Sequence, residues 1–352
     1  MSNPKILTLQ TGVPAPCYTQ EAVTDMYLKL LNTNSKHRER AIRSVMHQSG
    51  VSFRHLAVEM QFFGSLRTTQ QRNERYMAEA LPLGERVIQN GLKKAGVTAQ
   101  EIDSFVIVSC TGFNTPGLDL LLAQRIGMSA HLNRTCVLGM GCYGAFPGLK
   151  RAWDSVAAKP NQLTLLLCLE ICTAHLQVDD STETVVSTSL FSDGAGMALV
   201  GEAQSDASGP TLIDTETFCD YQTLGHMTFT VTDQGFRMYL SSYVADVLAA
   251  NIRKFVERLL LRNNLEIPDI KFWAIHPGSK RIVEYIQQQL DLTDTQVSYS
   301  LQTLRDYGNM SSATVLFVLD RVMQMGSPQR GDYAVMMAFG PGLTMESILL
   351  KW

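Results

Sequence analysis

The sequence lacks an uninterrupted apolar run of about 18 residues, the length that identifies a membrane-spanning helix, so we expect no membrane span. Its first residues lack the basic segment and the apolar stretch of a secretory signal, which predicts a cytoplasmic protein. An excess of positive charge is also missing, because the 352 residues carry a formal net charge of -3. That balance gives no reason to expect a nucleic-acid partner.

The seven cysteines do not follow the pattern of a disulfide framework or of a zinc site. Their number is odd, they are widely scattered and their neighbours are apolar. Cys168 and Cys172 stand four residues apart, but no second pair and no histidine cluster follows them. We therefore predict no metal and no cofactor, and we expect most of these thiols to be small buried apolar side chains.

Apolar segments of strand length alternate with amphipathic segments of helix length, and the order in the second half of the chain repeats that in the first. Uninterrupted apolar segments, such as 105–109 and 163–169, predict a sheet buried on both faces and hence an α/β fold. Apolar residues at helical spacing predict a helix over 243–261. The polar segment 202–210 predicts a loop near the boundary between two halves, 1–205 and 206–352.

Three residues of catalytic type stand beside glycine-marked turns. Cys142 lies in Gly-Met-Gly-Cys-Tyr-Gly before a predicted helix, whose N-terminus favours a thiolate. His276 ends a predicted strand at the sheet edge where ligands of α/β proteins bind; it could deprotonate Cys142, or the pair could rest as imidazolium and thiolate. Asn309 precedes a predicted helix, where it could cap the helix or donate a hydrogen bond to an oxyanion.

Each of these residues alone also has a structural interpretation, as a core thiol, a satisfied histidine or a helix cap. Two similar halves often pack about a pseudo-twofold axis, and the repeat gives Cys142 and Asn309 equivalent places. Such an axis would bring both helix starts to the centre of the molecule. We therefore interpret Cys142, His276 and Asn309 together as nucleophile, base and oxyanion donor.

Six runs of residues, in this order, resemble the chalcone synthase superfamily of type III polyketide synthases nearly end to end. They are Cys-Thr-Gly-Phe-Asn-Thr-Pro-Gly at 110–117, Gly-Met-Gly-Cys-Tyr-Gly-Ala at 139–145, Leu-Phe-Ser-Asp-Gly-Ala at 190–195, Phe-Trp-Ala-Ile-His-Pro-Gly at 272–278, Tyr-Gly-Asn-Met-Ser-Ser-Ala at 307–313 and Phe-Gly-Pro-Gly-Leu-Thr at 339–344. The resemblance implies a thiolase fold of two similar βαβαβ-type halves in five layers, α-β-α-β-α. It also implies a homodimer and a catalytic triad of Cys142, His276 and Asn309.

The resemblance further assigns residues to the substrate cavity and to the coenzyme A site. They are Phe191 and Met238 as gatekeepers between tunnel and cavity, Cys110, Cys172 and His175 in the cavity wall, Thr115 at a position that reaches across the dimer, Ser311 near the catalytic centre, and Gly340, Pro341 and Gly342 beside the cyclisation pocket. The lysines and arginine with which the plant enzymes bind coenzyme A are not matched in place. Arg43 and Arg281, with Arg38 and Arg40 nearby, are the basic candidates.

The implied activity is the extension of an acyl chain on Cys142 with malonyl units, followed by cyclisation to a resorcinol or a pyrone. The implied partners are malonyl-CoA and an acyl-CoA or acyl-carrier protein. The departures from the plant pattern favour the bacterial members, and the compact Cys110 and Cys172 predict room for a medium or long acyl starter. Three alternatives stay open: a ketoacyl synthase III-like enzyme that condenses once, a non-catalytic acyl-binding partner, and a Cys-His hydrolase.

Overall fold

The computed structural model describes residues 3–202, 209–241 and 244–352, and the following helices and strands belong to those ranges. The strands are β1 (Lys5–Gly12), β2 (Cys17–Thr19), β3 (Phe53–His55), β4 (Ser104–Ser109), β5 (Asn133–Leu138), β6 (Thr164–Ile171), β7 (Asp193–Gly201), β8 (Thr211–Cys219), β9 (Met227–Thr232), β10 (Gly235–Leu240), β11 (Ile270–Ile275), β12 (Tyr333–Gly340) and β13 (Thr344–Lys351). The α-helices are α1 (Gln20–Leu31), α2 (Lys36–Gln48), α3 (Thr69–Ala95), α4 (Leu118–Ile126), α5 (Ala145–Ala158), α6 (Thr182–Leu190), α7 (Val244–Leu261), α8 (Lys280–Leu290), α9 (Asp294–Tyr307) and α10 (Thr314–Met325).

The main sheet is mixed and has two limbs. Its strand order is β11-β12-β13-β8-β1-β7-β6-β4-β5. The strand β4 pairs in parallel with β5 and β6, and β11 pairs in parallel with β12, whereas the other neighbours are antiparallel. The limbs join where Lys5 of β1 lies opposite Thr211 of β8. A small hairpin of β9 and β10 lies apart from this sheet.

Both faces of the central strands β4, β6, β7, β12 and β13 are covered, which explains why most of their residues are apolar without alternation, whereas β5 at the end of the first limb is partly exposed. The core between the limbs contains α5 and α10, and it includes Val106 and Leu166 from one limb and Met336 from the other. A second core packs α3 and α4 on the opposite face of the first limb. A third core packs α7 and α8 on the opposite face of the second limb. Helices and sheets therefore alternate in five layers, and the predicted α/β class is confirmed.

Local differences from the sequence-based predictions have identifiable causes. The repeat in the sequence predicts that 297–301 corresponds to the strand segment 135–138, but the structure places 297–301 in α9. A capping box between Thr293 and Gln296 starts that helix, and Val297, Ser300 and Leu304 are buried at helical spacing. The predicted boundary at residue 205 lies outside the described residues, as does Tyr243, the predicted first residue of α7.

Among the described residues, no helix combines the length and the apolar character that crossing a bilayer would require. Within the same ranges, no three histidine, cysteine, aspartate or glutamate side chains converge in the way that a metal ion needs.

Candidate active site

The three residues of catalytic type meet at one cavity between the two halves. Cys142 lies in a single 3-10 turn, Gly141–Tyr143, directly before α5. His276 follows β11, and Asn309 follows α9 shortly before the turn Ser311–Ala313 that leads into α10. All three side chains line a mainly apolar cavity, which Phe191 and Met238 also line.

Glycine is required in front of Cys142 for two reasons. Gly141 has a φ of +69°, a left-handed conformation that disfavours any other residue. A Cβ atom on Gly141 would also lie 2.7 Å from Cδ of Pro341. The glycine therefore lets the turn that carries Cys142 approach the Gly-Pro-Gly loop at 340–342. The Gly340 position is similarly close, since a Cβ there would lie 2.6 Å from Cδ1 of Tyr143.

Asn309 is held on both its backbone and its side chain. Its N–H donates to the carbonyl of Leu190 (2.8 Å), and its carbonyl accepts from the N–H of Ser192 (2.9 Å). Its Oδ1 accepts from the N–H of Ser311 (2.8 Å), and its Nδ2 donates to the carbonyl of Gly278 (3.3 Å). Asn309 is thus not the N-cap of α10, but its oxygen satisfies one free N–H of the preceding turn. Asn309 lines the same cavity as Cys142.

The electrostatics of the site favour neutral side chains in this arrangement. Burial raises the pKa of the Cys142 thiol to about 11, partly offset by the Ser311 hydroxyl and the Asn309 amide. Burial lowers the pKa of His276 to about 3. His276 is 1% exposed, and neither of its ring nitrogens has a hydrogen-bond partner among the described residues. These observations support a resting thiol and a resting neutral imidazole, with ring nitrogens available to a substrate.

A second, larger cavity continues from Cys142 along the predicted wall. It contains about 770 Å³ of space, part of it open to solvent. Seven of the residues predicted for the substrate site line it: Cys110, Cys172, His175, Phe191, Met238, Ser311 and Pro341. Phe191 and Met238 line both cavities. Ser311 donates a hydrogen bond from Oγ to the Cys142 sulfur at 3.7 Å.

Glu170 is a buried residue of the site that was not predicted from the sequence. Its carboxylate is completely buried and accepts hydrogen bonds from Cys110 N (3.0 Å), Thr111 Oγ1 (2.7 Å) and Ser312 Oγ (2.5 Å). Burial raises its pKa, and these three donors oppose that rise. A single acidic residue directly after the apolar run 163–169 was the one local signal, because such a residue is rarely buried without partners.

Other predicted residues lie apart from the two cavities. Arg43 is exposed and pairs with Asp25 at 2.7 Å, whereas Arg38 pairs with Asp180. Arg281 donates to the hydroxyl of Tyr285 (3.0 Å), and both Arg40 and Thr115 are exposed. None of Arg38, Arg40, Arg43, Arg281 and Thr115 is among the residues that line either cavity in the described part of this single chain.

Comparisons with known proteins cover nearly the whole chain. Residues 2–204 match the model for chalcone and stilbene synthases, N-terminal domain, and residues 214–352 match that for the C-terminal domain. The chain is 32% identical to a 1,3,6,8-tetrahydroxynaphthalene synthase of Streptomyces peucetius, over 99% of the chain and 93% of the relative. It is 30% identical to a 3,5-dihydroxyphenylacetyl-CoA synthase of Streptomyces toyocaensis, over 99% and 90%. The crystal structure of PKS-I from the brown alga Ectocarpus siliculosus superposes with a TM-score of 0.94 at 27% identity, covering 100% of this chain and 98% of that one.

Proposed function

Because the chain belongs to the chalcone and stilbene synthase family, and is therefore a type III polyketide synthase that condenses malonyl-CoA, we propose that Cys142, His276 and Asn309 carry out its chemistry. The observation that carries this proposal is the convergence of the three side chains on one cavity, although they come from different elements of both halves. An acyltransferase of this kind needs a nucleophile, a proton acceptor and an oxyanion donor within reach of one thioester.

The first step loads the starter. The Cys142 sulfur attacks the carbonyl carbon of an acyl thioester, and a ring nitrogen of His276 accepts the thiol proton. Hydrogen bonds from Asn309 and from the turn around Cys142 stabilise the oxyanion. The bond to the leaving thiolate breaks, the thiolate takes the proton from His276, and the acyl group remains on Cys142.

The second step extends the chain. Malonyl-CoA loses carbon dioxide, and the electron pair of the broken carbon–carbon bond forms an enolate of acetyl-CoA. His276 and Asn309 donate hydrogen bonds to the enolate oxygen, which lowers the free energy of that intermediate. The enolate carbon attacks the carbonyl of the acyl group on Cys142 and expels the Cys142 thiolate. The extended chain, now on coenzyme A, returns to Cys142 for the next cycle.

Ring closure follows in the larger cavity, and we propose that it gives either a pyrone or a resorcinol, an aromatic ring with a 1,3-dihydroxy pattern. The names of the two Streptomyces relatives describe aromatic rings with this pattern. The apolar lining and the space beside Cys142 support a cavity in which a folded, uncharged chain is held away from water. The starter and the number of extensions depend on the shape of that cavity.

The exposed end of the first limb supports a homodimer. The strand β5 is the last strand in the sheet order, so its outer edge is open to pairing with another chain. Leu138 at its end is 48% exposed, and Phe113 in a neighbouring loop is 61% exposed. We propose that a second copy covers this apolar edge and brings its own Thr115 loop toward the cavity.

The test is to incubate the purified protein with malonyl-CoA and a panel of acyl-CoAs from acetyl to palmitoyl, with product masses read by mass spectrometry. We expect products several ketide units heavier than the starter, and none with Cys142→Ala. Cys172→Ala is the matched control, because it removes a thiol from the same cavity but not the proposed nucleophile. Single extensions would instead support a ketoacyl synthase III-like enzyme. Free acid without consumption of malonyl-CoA would support a hydrolase, and an inert protein, also with acyl-carrier protein, a binding role.

A further inference from the structure

The hairpin of β9 and β10 forms one wall of both cavities, although it lies apart from the main sheet. Its residues Met227 and Met238 line both cavities, and Phe236 lines the larger one. The tip of the hairpin, residues 232–236, contacts the body of the protein through a small set of polar side chains. These contacts decide where the wall stands relative to Cys142.

His175 makes the central contact with the hairpin. Its Nε2 lies 2.7 Å from the carbonyl of Thr111, and its Nδ1 accepts from the N–H of Phe236 at 3.1 Å. Because a carbonyl only accepts and an N–H only donates, these partners define one neutral tautomer with the proton on Nε2. The imidazole also stacks on the Phe236 ring, with centroids 4.0 Å apart and planes inclined by 5°. His175 therefore fixes both the backbone and the side chain of Phe236.

The segment that carries His175 is itself braced by Arg72. The Nη1 of Arg72 donates to the carbonyls of Ala174 (2.8 Å) and Leu176 (2.9 Å), one on each side of His175 in the sequence. The hairpin approaches this arginine closely at Gly235, which has a φ of +112°. A Cβ there would lie 2.5 Å from Cδ of Arg72 and 3.2 Å from Nδ1 of His175. Only glycine permits this approach.

Thr69, at the start of α3, makes an independent contact with the same tip. Its Oγ1 accepts from the N–H of Gly235 (2.7 Å) and donates to the carbonyl of Thr232. Its own N–H donates to the carbonyl of Asp233 (2.9 Å). Thr69 is not among the residues that line the larger cavity. It can therefore affect a product only through the hairpin, which makes it a test of that route.

We propose that His175 is a positioning residue whose hydrogen bonds hold the hairpin against the body of the protein. We call the contacts of His175 and Thr69 with the hairpin tip the latch. We propose further that the latch sets how long a chain the cavity accepts before the chain cyclises. The consequence for products rests on the proposed function, whereas the attachment of the hairpin does not. When these contacts are intact, Phe236 and Met238 line the cavity and limit the space beside Cys142. With the latch released, the wall moves outward and longer chains fit.

Hydrogen exchange measured by mass spectrometry tests the attachment without any need for activity. His175→Phe keeps the bulk and the ring stacking but removes both hydrogen bonds of the imidazole. Thr69→Val removes the two hydrogen bonds of the Thr69 hydroxyl at nearly constant size and keeps the bond from its backbone N–H to Asp233. We expect both variants to speed exchange in peptides covering 227–240 by at least about fivefold, the effect of losing one of the two hydrogen bonds that each variant removes. Peptides covering β11 should exchange as in the wild type. Unchanged exchange in the hairpin of either variant would overturn the latch.

Product masses test the consequence. We expect both variants to shift the products, in the same direction, toward longer starters or more extensions. A shift with His175→Phe but wild-type products with Thr69→Val would show that His175 acts only as a local piece of wall, and would overturn the proposal. If the wild-type protein makes no polyketide, the proposed function fails, while hydrogen exchange still decides whether the latch exists. Should His175→Phe not fold, Thr69→Val alone decides both questions.

Discussion

Replacing Asn309 by alanine removes the amide without displacing the main chain around it. The backbone of Asn309 is hydrogen-bonded on both sides to Leu190 and Ser192, so the Cα position does not depend on the side chain. The variant loses the Nδ2 donor, which is bound to the Gly278 carbonyl only at a long 3.3 Å, and the acceptor for the N–H of Ser311. The variant therefore tests the amide as a catalytic hydrogen-bond donor, while its structural effect is limited to the loss of these two side-chain contacts.

The two losses have different magnitudes. Removing one preorganised oxyanion donor lowers turnover by about 10²–10³-fold, equivalent to about 2.7–4 kcal/mol of transition-state stabilisation. Losing the acceptor for a buried N–H costs about 1–3 kcal/mol of folding free energy. We therefore expect Asn309→Ala to remain folded with a lowered melting temperature, and to condense malonyl-CoA at least about 100-fold more slowly than the wild type.

The assay measures decarboxylation of malonyl-CoA and acylation of Cys142 separately, the first by carbon dioxide release and the second by intact-protein mass. Thr314→Val is the matched control, because its hydroxyl accepts from the N–H of Met310 (2.8 Å) and contacts Oδ1 of Asn309 at 3.4 Å. That variant should lose comparable stability and keep the activity. Decarboxylation within a few-fold of wild type in Asn309→Ala would refute the role of the amide, and equal losses in both variants would show that only local stability matters.

Three further outcomes follow from burial and edge geometry. Because burial raises the Cys142 pKa to about 11, its alkylation by iodoacetamide should keep accelerating above pH 9; a plateau reached below pH 7 would show a thiolate–imidazolium pair. Burial lowers the His276 pKa to about 3, so the unfolded state binds an extra proton between there and its normal value near 6.5, and stability falls as pH falls through that window. His276→Gln should reduce the slope of unfolding free energy against pH near 5 by about 1.4 kcal/mol per unit, and an identical slope would contradict the neutral buried imidazole. Leu138→Glu should convert a dimer into a monomer in sedimentation velocity, whereas a monomeric wild type would remove the basis of the dimer proposal.

The α/β class and the strands of both limbs were predictable because burial on two faces leaves a local signature. The segments 105–109 and 163–169 are mostly apolar without alternation, and β4 and β6 contain all of these residues except Leu163. The convergence of Cys142, His276 and Asn309 was also expected, because each stands beside a glycine-marked turn at the end of a strand or the start of a helix. Local sequence is sufficient to place such a residue at the end of an element.

The parts that could not be predicted depend on contacts between distant segments. The burial of Glu170 depends on hydrogen-bond donors that lie 60 and 142 positions away in the sequence. No local sequence pattern predicts such partners. The attachment of the hairpin could not be predicted for the same reason, since Thr69 contacts Thr232 and Gly235, which lie 163 and 166 positions away in the sequence. The departure of α9 from the repeat arises because burial of Val297 and Leu304 on one helix face outweighs the analogy with β5.

The core that α5 and α10 share has a consequence for engineering by recombination. These two helices fill one apolar layer with residues from both limbs, so neither half of the chain possesses a complete core of its own. The carboxylate of Glu170 adds to the dependence of each half on the other, because it accepts hydrogen bonds from Thr111 of its own half and from Ser312 of the other half. A chimaera that joins one half to the matching half of a relative will inherit mismatched side chains at this seam. Exchanging the hairpin 227–240 instead replaces a piece of cavity wall and leaves the shared layer intact.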